Sequence, residues 1–157
     1  MKKTLSRIVI LSSVGLLLMG AGTCHPVGLY ENYFLNDLAK QGFVQRTVKL
    51  GPDTVSYWDN GSDKPTLLLA HGFGGGGTWS WTKQLKTLGE HFRILSPDFL
   101  WFHNSHSEER DFSLEHQARM LEALLDHLKI EKTHILGTSY GGLVSYMLAM
   151  KSPDRLD

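Results

Sequence analysis

Residues 133–144 read Thr-His-Ile-Leu-Gly-Thr-Ser-Tyr-Gly-Gly-Leu-Val. A short apolar run able to form a buried strand reaches Gly137-Thr138-Ser139-Tyr140-Gly141, and an apolar, helix-like run follows at once. A serine on a sharp strand-to-helix turn takes a strained backbone shape, so small residues are needed on either side. Gly137 and Gly141 supply that room. Such a turn lifts the Ser139 hydroxyl above the sheet edge and points the helix N-terminus at the site. The Tyr140 backbone N–H is then placed to stabilise a developing oxyanion. Ser139 is the candidate nucleophile. The rival reading is a structural turn, since so short a pattern also arises by chance.

A second motif decides between them. Leu67-Leu68-Leu69-Ala70-His71-Gly72-Phe73-Gly74-Gly75 is an apolar strand running into a glycine-rich loop. Together the two motifs, from about Arg46 to the end, resemble the α/β-hydrolase family. The resemblance implies an α/β fold whose mostly parallel sheet is opened by an antiparallel hairpin, with helices on both faces. It implies the Phe73 N–H as second oxyanion donor. It also implies that His71 supports the loop by hydrogen bonding rather than acting as a base, with Gly72 and Gly74 giving the backbone room. The glycine run lacks the Gly-x-x-x-x-Gly-Lys and Gly-x-Gly-x-x-Gly phosphate-binding patterns, and no cofactor is expected.

The start of the chain has a different character. Lys2, Lys3 and Arg7 precede an apolar run from Ile8 to Met19, followed by small residues 20–23 and then Cys24. Positive start, apolar middle and small-residue end are the layout of an export signal. The run is shorter than the roughly 20 residues that cross a bilayer. Residues 1–23 are therefore read as a signal peptide or lipoprotein signal, 24–44 as an N-terminal helix and linker, and 45–157 as the hydrolase-like domain. Cys24 resembles a bacterial lipidation site, although Ala21 and Thr23 depart from the usual residues. Ordinary cleavage, or an uncleaved anchor, is the alternative. The expected location is the bacterial cell envelope, membrane-anchored or exported, with membrane attachment through the N-terminus. Leu29, Tyr30, Tyr33, Phe34, Leu35 and Leu38 space out a short amphipathic helix.

Gln45–Leu50 and Thr54–Asp59, joined by Gly51-Pro52-Asp53, read as a hairpin. Thr66–Ala70 reads as a central strand covered on both faces. Thr78 is placed to cap a helix running to about Leu88, and Phe92–Ser96 reads as the next strand. Pro97–Ser105 is similar to the family's Asp-x-x-Gly-x-Gly-x-Ser loop, but Trp101 and His103 stand where glycines are usual, so a bulkier loop of different conformation is expected. Asp98 is assigned to bracing loop backbone rather than to catalysis. His103, His106, Glu108 and Asp111 lack metal-ligand spacing and read as surface loop. Ser113–Lys129 is the clearest helix, with Leu114, Ala118, Leu121, Leu125 and Leu128 on one face. The run from Leu143 to Met150 is apolar almost all round, which predicts a buried helix.

Lys plus Arg and Asp plus Glu both number 16, so nothing attracts a polyanion and nucleic-acid binding is not expected. The lone cysteine excludes an intrachain disulfide. A serine hydroxyl needs a base and an orienting acid. The resemblance places both after the nucleophile, yet no histidine lies beyond His134. The sheet is expected to be incomplete at the C-terminus, leaving Thr133–Leu136 as an apolar edge prone to association. The expected activity is a serine hydrolase for small acyl or ester substrates, with its acid and base missing from this chain. Ser139 argues against the epoxide-hydrolase and dehalogenase branches, which resemblance implies use aspartate there. A non-catalytic remnant or binding module of the same fold is the alternative.

Overall fold

The computed structural model describes residues 26–157, with side chains from Tyr33 onward. The signal segment and Cys24 lie outside the described residues. Helix α1, Pro26–Lys40, realises the amphipathic spacing, with Phe34 and Leu38 buried and Tyr33 exposed. Residues up to Asp37 and Leu38–Asp157 form two compact units. Among the described residues no helix is long and apolar enough to cross a membrane.

In the second unit, β1 (Val44–Leu50) and β2 (Asp53–Asp59) form the expected hairpin, in register from Val44 against Asp59 to Leu50 against Asp53. Gly51 takes the turn with a left-handed φ of 61°. β2 pairs antiparallel with β4 (Arg93–Pro97), and β3 (Thr66–Ala70) lies between β4 and β6 (His134–Gly137), parallel to both. The strand order is therefore β1-β2-β4-β3-β6. Every residue of β3 is buried, because both its edges and both its faces are covered. An apolar strand without alternation is what such a position demands. A two-residue strand, β5 (His106–Ser107), pairs with the start of β2.

The core joins Val55, Leu68, Ala70 and Leu95 of the strands to Met120, Leu121, Leu124 and Leu125 of α3 (Leu114–His127) and Val144 and Leu148 of α4 (Tyr140–Lys151). Each such buried Leu or Met contributes about 1.5–3 kcal/mol. The Ser113 hydroxyl caps α3 by accepting the His116 N–H at 3.1 Å, with Glu115 in the first turn suiting the helix dipole.

Two expectations are corrected. The single helix from Thr78 to Leu88 is instead a 3₁₀ turn, Trp79–Trp81, and a short helix α2, Leu85–Gly89. Thr78 makes no capping bond because its own backbone is helical (φ −93°, ψ −29°), whereas an N-cap is extended. α4 is not buried all round. Val144 and Leu148 face inward, but Leu143, Tyr146 and Met150 are 56 %, 66 % and 62 % exposed. The apolar character of those positions is intrinsic to the sequence; the inner face alone finds a partner among the described residues.

The β6 edge away from β3 is occupied only at its start. There the Thr133 N–H donates to the Arg155 carbonyl at 2.9 Å and the Asp157 N–H to the Thr133 carbonyl at 3.3 Å. Thr133 and Leu156 thus form an isolated parallel bridge. Beyond it Leu136 is exposed.

Candidate active site

Ser139 is the hinge between β6 and α4. Its φ of 51° and ψ of −118° are strained for any residue with a Cβ, and it is exposed at the N-cap position of α4. The chain reaches it by extending the β3–β6 ladder one step, the Thr138 N–H donating to the Ala70 carbonyl at 3.1 Å. It leaves at once into helix, with the Gly142 N–H donating to the Ser139 carbonyl at 2.9 Å.

The flanking glycines are fixed by close approach. A Cβ on Gly137 would lie 2.5 Å from the Gly141 carbonyl oxygen. One on Gly141 would run into the Ala70 carbonyl and lie 2.5 Å from that of His71. Backbone atoms cannot give way as a side-chain tip can, so only glycine lets α4 begin this close to β3.

The loop after β3 lies beside the serine: a Cβ on Gly72 would be in ordinary contact with the Ser139 Cβ at 3.6 Å. Gly72 is therefore not required by a clash. Gly74 is set by its left-handed φ of 73°, with open space around it. The tightest demands fall on glycines not singled out from sequence. A Cβ on Gly76 would meet the His103 ring at 2.7 Å, and one on Gly77 the Ser96 carbonyl at 2.5 Å. Neither the Phe73 nor the Tyr140 backbone N–H donates to a carbonyl among the described residues. Tyr140 follows Ser139 in sequence, and Phe73 follows Gly72, whose backbone lies beside Ser139.

His71 is fully buried, and both its ring nitrogens are engaged. Nε2 accepts the Phe99 N–H at 2.9 Å, so the proton sits on Nδ1, which donates to the Gly72 carbonyl at 2.8 Å. Burial lowers its pKa below the ordinary value near 6.5, opposed by the Gly72 hydrogen bond and the Asp98 charge and assisted by His103. A neutral imidazole with both nitrogens occupied ties the loop after β3 to the loop after β4. Asp98 adds a second tie, its carboxylate accepting the Gly77 N–H at 2.7 Å.

In the loop after β4, Trp101 (φ 67°) and His103 (φ 46°) adopt the left-handed conformation that glycine favours. These two bulky residues thus take a backbone shape that glycine favours. His106 lies in β5, Glu108 pairs with Lys49 at 2.5 Å and Asp111 with Arg119 at 3.0 Å; these groups point to separate partners.

Sequence reasoning missed three contributors. Gln117 is buried in α3 and holds Leu100 by both backbone groups. Its Oε1 accepts the N–H at 3.0 Å and its Nε2 donates to the carbonyl at 3.3 Å. Burial raises the pKa of the Tyr140 phenol, and the Gln117 amide beside it acts in the opposite sense. A signal existed: Gln117 falls on the apolar stripe between Leu114 and Leu121. The second is Phe102, whose ring packs edge-on to Phe73 at 5.3 Å. The third is a buried pair, His116 Nε2 to Asp53 Oδ1 at 3.0 Å, with His116 Nδ1 on the Asp111 carbonyl at 2.9 Å. It pins the start of α3 to the start of β2.

Comparison with known proteins places the chain in a family. Residues 65–157 match the sequence profile of the family described as alpha/beta hydrolase fold. A curated relative named "Putative carbamate hydrolase RutD", from Pseudomonas syringae pv. syringae, is 38 % identical over 96 residues, which cover 60 % of this chain and 37 % of that protein. A solved structure described as "a putative epoxide hydrolase from Pseudomonas aeruginosa" superposes with a TM-score of 0.69 and 25 % identity, over 73 % of this chain and 39 % of that one. Another, "a putative lipase (lip1) from Acinetobacter baumannii AYE", gives 0.73 and 26 % over 81 % of this chain and 43 % of that one. The chain thus spans well under half the length of these relatives. By its profile match and its strained serine turn, it belongs to the α/β-hydrolase fold family.

Proposed function

We propose that this chain carries the nucleophile and the oxyanion donors of a serine hydrolase acting on carboxylic esters or related acyl substrates. The observation that carries the reading is the Ser139 backbone: an exposed serine held at φ 51° between two glycines that close approach makes obligatory. Strain of this kind costs about 1–3 kcal/mol and persists where the surroundings enforce it. In this reading Ser139 attacks the acyl carbon, and the carbonyl oxygen gathers charge toward the N–H groups of Tyr140 and Phe73. The relatives named as hydrolases support the general class; the serine and the acyl substrate rest on the geometry of this site.

The base and the acid are assigned to polypeptide other than residues 26–157. His71 is excluded as the base by its two hydrogen bonds, and the Ser139 hydroxyl has no hydrogen-bond partner among the described residues. The same observation favours the second reading, a non-catalytic member of the family that keeps the turn but binds rather than cleaves. Export and anchoring of the N-terminus at Cys24 belong to the proposal as well, on the sequence pattern alone.

Prolonged exposure of the folded chain to a fluorophosphonate in concentrated imidazole, which substitutes for the base that these residues do not supply, followed by peptide mass mapping, separates the two readings. The nucleophile reading expects slow labelling confined to Ser139, absent from Ser139→Ala and from the urea-unfolded chain. No adduct at Ser139, or equal labelling of other serines, favours the non-catalytic member.

A further inference from the structure

Beside Ser139 stands a surface that the chemistry above does not use. Phe73, from the loop after β3, is 79 % exposed. Its ring is nonetheless held edge-on by two neighbours from separate segments: Phe102 at 5.3 Å and Tyr140 at 6.1 Å. Phe102 and Tyr140 close the triangle at 5.9 Å. Beneath them the buried Phe99 ring packs on Tyr140 at 5.6 Å and on His71 at 4.6 Å. The aromatic wall thus rises from the core and ends in an exposed phenyl ring. Two of its three upper rings belong to the residues offering the oxyanion N–H groups.

We infer that this wall is the seat of the substrate's apolar acyl chain, so that the substrate class is esters of medium-length alkyl acids rather than small polar acyl compounds. The inference rests on the nucleophile reading for the direction of the chain. A carbonyl oxygen between the Phe73 and Tyr140 N–H groups places the carbonyl carbon over Ser139. An acyl chain running toward the exposed phenyl face then covers apolar area now in water. An exposed ring braced by edge-to-face contacts is already ordered, so covering it costs little conformational entropy. Three rings from three separate segments form the mostly apolar lining that small-molecule sites use, with a few polar groups at one end to set orientation.

The probes are sodium hexanoate, octanoate and decanoate, titrated below micelle formation into the full chain. Binding is read from the aromatic-ring resonances in NMR, and the carboxylate stands in for the oxyanion. A chain lying on this wall tightens binding about twofold to fourfold per added methylene, the upper value being full burial of each group. Phe73→Ser, at an exposed position that the core does not need, is expected to flatten that length dependence and weaken decanoate at least tenfold. The paired variant Leu143→Lys/Tyr146→Lys, on the exposed face of α4, is expected to leave it unchanged. The inference is overturned by absence of binding, by a length dependence that survives Phe73→Ser, or by one lost in the α4 variant. Length-dependent binding together with an unlabelled Ser139 would count against the hydrolase reading while leaving the seat in place.

Discussion

Gly141 and Ala70 meet so closely that no side chain fits between them: a Cβ at position 141 would run into the Ala70 carbonyl oxygen. Both partners are backbone, one in the first turn of α4 and the other at the end of β3. Gly141→Ala must push the helix away from the strand, and with it the serine turn. Overpacking of this kind costs about 1–3 kcal/mol and more where backbone is the obstacle. Urea unfolding should show a loss of about 3 kcal/mol, with fluorophosphonate labelling of Ser139 lost at urea concentrations where the protein is still folded. A variant as stable as the parent would contradict this packing.

His71 predicts a particular pH dependence. Burial holds its folded-state pKa below the ordinary value near 6.5, so the imidazole is neutral in the folded chain when an unfolded one is already charged. The unfolded state then binds the extra proton. This group's contribution to stability is full above the unfolded pKa and declines as pH falls below about 6.5, until the folded pKa is reached. Unfolding free energy measured from pH 7.5 to about 5 should fall more steeply in the parent than in His71→Gln. The variant itself should lose about 1–3 kcal/mol at pH 7.5, through the unpaired Phe99 N–H, while the Gly72 carbonyl keeps the Gly75 N–H. Equal slopes would remove the neutral, doubly bonded imidazole from the account.

The exposed apolar residues Leu143, Tyr146 and Met150 of α4, together with the open part of the β6 edge, predict association. Sedimentation of the chain across a concentration series should show self-association or binding to a companion polypeptide. Leu143→Lys/Tyr146→Lys should weaken either by at least tenfold without changing the unfolding midpoint, since both side chains are outside the core. A monomer at all concentrations, indifferent to the substitution, would count against this face.

Expression in a bacterium fed labelled palmitate examines the N-terminus. Label is expected on the chain and in the membrane fraction, both lost in Cys24→Ser. Label that persists in the variant, or never appears, contradicts lipidation at Cys24.

Much of the site was legible because its motifs are governed by local sterics. Gly137 and Gly141 flank a strained serine, and the structure shows the backbone atoms that leave them no alternative. The β1–β2 hairpin and the buried strand β3 followed from turn chemistry and from an apolar run without alternation. What escaped depends on contacts distant in sequence. Gln117 looked like one polar residue in an apolar helix, yet it clamps Leu100, 17 residues away. The Asp53–His116 pair spans 63 residues. The burial of α4 was overread because an all-apolar helix states what it could bury and not what lies against it. Trp101 and His103 show the limit of pattern matching in another way, since both take a left-handed backbone that their residue types do not announce.

Residue 139 is held in a strained, left-handed turn, and replacement by glycine is the sharpest check on that strain. Glycine accepts φ 51° without a Cβ penalty, so Ser139→Gly should have an unfolding free energy in urea about 1 kcal/mol above that of the parent, while Ser139→Ala stays close to it. A glycine variant no more stable than the alanine variant would mean that the serine is not strained, and the site built around it would lose its foundation.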